Sequence, residues 1–148
     1  SLYRTKMEGT LPLELGNLHH LEELSLAGTK INGTLPTTLY QLSNLQWLVA
    51  SSTKIQGSLS TRVAQLTSLQ VLNLVDTSLS GTIPTQLGEL SQLEWLQLSN
   101  TFMEGTIPTE LGQLSKLSRL WIHHTPLSGV FPIQICQVPA VQDDLRVD

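Results

Sequence analysis

The amino-acid sequence predicts an α/β solenoid: similar coils of 24 residues stacked side by side, with a parallel sheet along one side. Three observations predict it. Glycine recurs at Gly9, Gly33, Gly57, Gly81, Gly105 and Gly129, and threonine at Thr5, Thr29, Thr53, Thr77, Thr101 and Thr125, always in steps of 24. Leucine fills three more columns at that period, beginning at Leu18, Leu21 and Leu24 and ending at Leu114, Leu117 and Leu120. Proline marks Pro12, Pro36, Pro84, Pro108 and Pro132, with Ser60 in the place of a sixth. A fixed period of this size is the mark of units that cannot bury their apolar faces alone and must stack to do so.

Each part of the unit has its own local reason. The Leu-x-Leu pair, flanked by outward residues, alternates as a strand does. From Pro36 to Leu45 and from Pro84 to Leu93 the apolar residues fall three apart, as in a short 3₁₀ or helical stretch. Glycine before Thr-Leu/Ile-Pro is turn chemistry, with proline fixing φ. The threonine column supplies a hydroxyl able to cap the turn after the strand. Leu2 falls in phase with Leu26, so the chain opens inside a strand and reads as a segment of something longer, with a cap or more repeats expected upstream. At the other end the phase slips: Leu145 and Val147 sit one residue late, as in a C-terminal cap.

Composition removes several function classes. Charged residues make up 14% of the 148 and the net charge is −4. A disordered polyelectrolyte is excluded, and nothing here neutralises a row of phosphates, so no nucleic acid is expected as partner. A lone cysteine allows no internal disulfide and no cysteine-rich zinc site. The longest apolar runs are too short to insert in a membrane. There is no phosphate loop, HExxH or GxSxG, and the adjacent pairs His19-His20 and His123-His124 splay rather than chelate, so neither an enzyme, a metal nor a cofactor is expected.

The unit LxxLxxLxLxxTxLxGTLPxxL, read from Leu18 to Leu39, resembles the 24-residue plant-type leucine-rich repeat, as found in receptor ectodomains and in polygalacturonase-inhibitor-like proteins. The family has asparagine where this chain has threonine. The resemblance implies a right-handed superhelix with the sheet on the concave side and the short 3₁₀ or helical stretches on the convex side. It implies one domain over 1–148: about five full repeats over 18–137, a partial repeat over 1–17 and a cap over 138–148. Caps of this family are often closed by a disulfide, which leaves Cys136 either paired with a cysteine beyond Asp148 or a buried free thiol.

The outward positions of the strands carry the functional reading. All three tryptophans, Trp47, Trp95 and Trp121, lie there. Tryptophan is costly to expose and is enriched where partners bind. Asn73, Gln97, Asn100, Arg119, His123 and His124 surround them, and Phe102 continues the patch toward its edge. The expected function is non-enzymatic recognition of a protein or peptide on the concave face. Three other features stand beside it. Lys6, Lys30 and Lys54 form a column that stacks like charges and favours an anionic partner at one edge or a nearby glutamate. Thr10, Thr34, Ser58, Thr82 and Thr106, with Thr37, Thr61, Thr85 and Thr109, form regular rows at a strand spacing, which follows the logic of an ice-binding surface as well as that of turn chemistry. Asn32 heads a glycosylation sequon on a turn, which with the family resemblance points to an extracellular or lumenal address. The alternatives are a scaffold subunit of a larger assembly, and an ice-binding protein using the threonine rows.

Overall fold

A computed structural model describes residues 7–138 and 145–147. One sheet runs along the concave side. Its strands are β2 (Glu23–Ser25), β4 (Trp47–Val49), β6 (Val71–Asn73), β8 (Trp95–Gln97), β10 (Arg119–Trp121) and β12 (Leu145–Arg146), parallel and in that order. Register follows the 24-residue period: Leu24 pairs with Leu48, Leu48 with Leu72, and Leu72 with Leu96. The last strand departs from it, because Leu120 pairs with Leu145, one residue past the period.

A second parallel sheet follows the first around each coil. It contains β1 (Glu8–Thr10), β3 (Lys30–Gly33), β5 (Lys54–Ser58), β7 (Ser78–Thr82), β9 (Phe102–Thr106) and β11 (Leu127–Ser128). In sequence this stretch has the chemistry of turns, and the repeat predicts one sheet only. Glycine lies inside these strands with positive φ, +77° at Gly33. That conformation hides the strand from propensity, since glycine is depleted in strands and welcome in turns. The same glycines admit a close neighbour. A Cβ on Gly33 would lie 2.8 Å from the γ-methyl of Thr10, and one on Gly57 would lie 2.9 Å from that of Thr34. Each of these threonines therefore packs its methyl against the next coil's glycine.

The convex side carries 3₁₀ turns at Leu13–Asn17, Thr37–Gln41, Thr61–Gln65, Thr85–Glu89 and Thr109–Gln113, and one α-helical turn, α1 (Ile133–Cys136). Proline precedes each except the third. It holds the extended entry conformation, φ −66° at Pro36, and its missing N–H costs nothing at a helix start. Its carbonyl accepts the first bond of the turn, from Leu39 N–H at 2.9 Å.

Between sheets and turns runs a column of leucines. Leu42, Leu45, Leu66, Leu69, Leu90, Leu93, Leu114 and Leu117 are fully buried. Burial of one such side chain stabilises the fold by about 2 kcal/mol. The threonine ladder closes the corner after each concave strand. The hydroxyls of Thr29, Thr53, Thr77, Thr101 and Thr125 donate to the carbonyls of Leu26, Ala50, Leu74, Leu98 and Ile122, all at 2.7–2.8 Å. Just before each threonine stands a left-handed residue: Gly28, Ser52, Asp76, Asn100 or His124, with φ of 54–69°. Short polar side chains tolerate that conformation better than most.

The missing proline has a partner in the preceding coil. Tyr40 stands in the column that holds Gly16, Gly88 and Gly112, and its ring is buried. Its hydroxyl needs a bond there, and Ser60 N–H donates one at 3.3 Å. A proline at 60 has no N–H to give. Ser60 instead caps the following turn, its Oγ accepting from Arg62 N–H at 3.2 Å.

Ser60→Pro should destabilise the chain by about 1–3 kcal/mol, because it strands a buried hydroxyl, and Tyr40→Phe in the same chain should recover part of that loss. A double-mutant cycle of denaturant melts measures the coupling. Burial also pushes the Tyr40 phenol above its usual 10.0, partly offset by the bond from Ser60. The folded chain therefore holds this proton more tightly than the unfolded chain. The contribution to stability is full below about pH 10 and is lost as pH climbs through the raised folded value. Melts between about pH 8 and 11 should show a steeper alkaline loss in the wild type than in Tyr40→Phe.

Candidate functional site

The outward side chains of the concave sheet are set by strand alternation. Leu48, Leu72 and Leu96 point inward, so their neighbours point out. Register aligns Trp47 with Val71 and Val71 with Trp95. Two strand spacings separate the tryptophans, about 10 Å. Trp47 is 36% exposed and Trp95 37%, whereas Val71 between them is buried. The result is an open apolar groove lined by Glu23, Trp47, Val49, Val71 and Trp95.

On the far side of Trp95 the surface changes character. Arg119 is its register partner on β10. The guanidinium lies 4.2 Å from the centre of the Trp95 ring and 5.1 Å from that of Trp121. Arg146, brought in by the slipped register of β12, lies 4.1 Å from the Trp121 ring. Cations over indole faces gain about 0.5–2 kcal/mol each. Trp95, Arg119, Trp121 and Arg146 thus form one interleaved row. The column spacing of Trp95 and Arg119 was visible in the sequence. Arg146 was not, because its register lies off the period.

Other expected site residues fall elsewhere. Gln97 is 3% exposed and presents almost nothing to a partner. Asn73 is half-buried, and its Oδ1 accepts from Val75 N–H at 3.2 Å. Asn100 and His124 are the left-handed corner residues rather than strand positions, though their exposed side chains do meet, Asn100 Oδ1 lying 3.1 Å from His124 Nδ1. His123 Nδ1 is 3.2 Å from His124 Nδ1. Phe102 is 63% exposed on β9 of the second sheet and does not line the groove.

The lysine column is corrected by register. In the second sheet Glu8 pairs with Lys30 and Asn32 with Lys54, two residues short of the period. Lys30 thus faces a carboxylate residue, and Lys54 lies diagonally from Lys30, about 7–8 Å away rather than 5 Å. Lys6 lies outside the described residues. Asn32 is exposed, but on β3 rather than on a turn. Cys136 ends α1 and is exposed, so the buried-thiol alternative does not hold. The threonine rows are exposed at every position. Among the described residues no helix is long and apolar enough to cross a membrane.

The chain matches the family model described as a leucine-rich repeat region over residues 1–129. No curated protein matches it. Among solved structures it is similar to the ectodomain of the Arabidopsis receptor kinase HAESA in complex with an IDA peptide hormone, at 29% identity and a TM-score of 0.92, covering 100% of this chain and 25% of that one. It is similar to the ectodomain of GASSHO1/SCHENGEN3 from Arabidopsis thaliana in complex with CASPARIAN STRIP INTEGRITY FACTOR 2, at 34% identity and 0.87, covering 88% and 16%. It is also similar to a plant ice-binding protein, at 30% identity and 0.85, covering 95% and 44%. The chain therefore spans less than half the length of each of these. A repeat model matched over most of the sequence, together with one coil geometry repeated along the described structure, places the assignment beyond its local motifs: the chain belongs to the leucine-rich repeat family.

Proposed function

We propose that this chain is a non-enzymatic recognition module that binds a protein or peptide on its concave sheet, with Trp47 and Trp95 as anchors. One observation carries the reading. Two tryptophans, each more than a third exposed, flank a single open groove whose floor is apolar. Leaving such rings in water is unfavourable, and rings of this kind supply much of the binding energy at interfaces. The row of Arg119, Trp121 and Arg146 continues the surface with charge, giving an apolar centre and a polar side. Asn100, His123 and His124 lie along the corner beside it. Gln97 is left out because it is buried. The similar HAESA ectodomain is in complex with a peptide hormone, which supports a peptide-sized partner and an extracellular or lumenal address.

A second reading, ice binding, is favoured by the exposure of both threonine rows and by the similarity to a plant ice-binding protein. It stands second because the first row already has work in the fold. The γ-methyls of Thr10, Thr34, Thr82 and Thr106 lie against the glycines of the next coil.

Peptides selected from a random display library on the 148-residue chain test the first reading. Trp47→Ala with Trp95→Ala should weaken the selected binders by about thirtyfold or more, with unchanged circular dichroism. Equal binding to wild type and variant would overturn it. An ice-recrystallisation assay tests the second. It expects inhibition that the tryptophan variant keeps and that Thr34→Ala, Thr82→Ala and Thr106→Ala together abolish.

A further inference from the structure

We infer that the groove between Trp47 and Trp95 takes a cationic side chain of the partner, an arginine foremost, with Glu23 as its counter-charge. The inference rests on the recognition reading and adds the chemistry of what is recognised.

The protein shows how its own tryptophan row is filled. In the outward column that runs Glu23, Trp47, Val71, Trp95, Arg119, the strand after Trp95 supplies a guanidinium, 4.2 Å from that ring and 5.1 Å from Trp121. The strand before Trp95 supplies only Val71, which is short, buried and uncharged. Among the described residues, the interval between Trp47 and Trp95 therefore has two flanking indoles and no cation lining it. A flat or narrow group entering over Val71 meets an indole on either side, at a separation of about 10 Å between strands.

Trp95 already has Arg119 over its ring, which does not exclude a second cation. Trp121 holds Arg119 and Arg146 together, at 5.1 and 4.1 Å. One indole in this protein accommodates two guanidinium groups. Glu23 opposes a purely apolar side chain in the groove. It is the charged residue that lines the groove and it is exposed. A neutral apolar group seated there strips water from a carboxylate and returns no hydrogen bond, whereas a guanidinium returns charge and donors. An anionic group meets Glu23 directly and is repelled. The net charge of −4 favours a basic partner at longer range.

The test uses the peptide acetyl-Gly-Arg-Gly-amide and its citrulline counterpart, which has the same shape without the charge. The indole N–H signals of the three tryptophans are followed by NMR during titration of the 148-residue chain. The arginine peptide should move the Trp47 and Trp95 signals, saturating in the millimolar range, and move Trp121 less. The citrulline peptide should bind at least about fivefold more weakly, and so should the arginine peptide with Glu23→Gln. Val71→Arg, which fills the interval from within, should abolish the response. Glu23 is exposed, so Glu23→Gln reports even if Val71→Arg folds poorly. Equal binding of both peptides would overturn the cation inference and leave the recognition reading standing, since the groove would then read shape alone. Movement of Trp121 alone, or of no tryptophan, would overturn it too. Failure of the display selection to depend on Trp47 and Trp95 is a separate result and strikes the recognition reading itself.

Discussion

A coil of this chain has too little bulk to enclose its own leucines, so each coil's core is completed by its neighbours. That dependence sets the spacing between coils, and nearly every repeated residue answers to it. Leu45, Leu69 and Leu93 are buried because an identical position lies directly above and below. The threonine ladder ties off each corner so that the next strand starts at the same height. Gly88 and Gly112 keep the convex turns close, since a Cβ on Gly112 would lie 2.5 Å from the Gln134 side chain. At a packed position, one departure from the repeat can be matched by another in a compensating set.

Tyr40 and Ser60 are such a set. A tyrosine in a column of small residues buries a hydroxyl that needs a donor, and that donor exists only where the proline of the next coil is absent. The two departures from the repeat look unrelated along the sequence. In the fold they are one interaction. The side chain of Ser60 then restores the order at the turn that proline would otherwise impose.

The same constraint frees the outward face. Inward positions are committed to packing, and corners to left-handed residues and threonine. What varies are the outward columns that no neighbour must cover. There the chain has placed its tryptophans and, between two of them, an arginine, so that the C-terminal half of the surface is an alternation of cations and indoles. Among the described residues, the groove toward the N-terminal half is lined by indoles and a carboxylate without a cation. The fold itself is shared by a peptide-hormone receptor ectodomain and an ice-binding protein, so it does not by itself fix what is bound.

Periodicity alone made the leucine column, the concave strands, the convex turns and the structural role of threonine readable. Each is a consequence of one unit repeated at one interval, and period is what a sequence displays. The tryptophans were readable for the same reason, as outliers in an outward column. The second sheet was not, because its strands carry glycine at positive φ and its register is two residues short of the period. For that reason the lysine column dissolved, Asn32 moved from turn to strand, and Phe102 left the tryptophan patch. Arg146 joined it through a strand one residue out of phase. Gln97 looked outward by alternation and proved buried. The sequence by itself determined what repeats and therefore what the core is. The tertiary structure decided which residues meet between coils, since lateral register depends on how whole strands slide against one another and no single repeat records it.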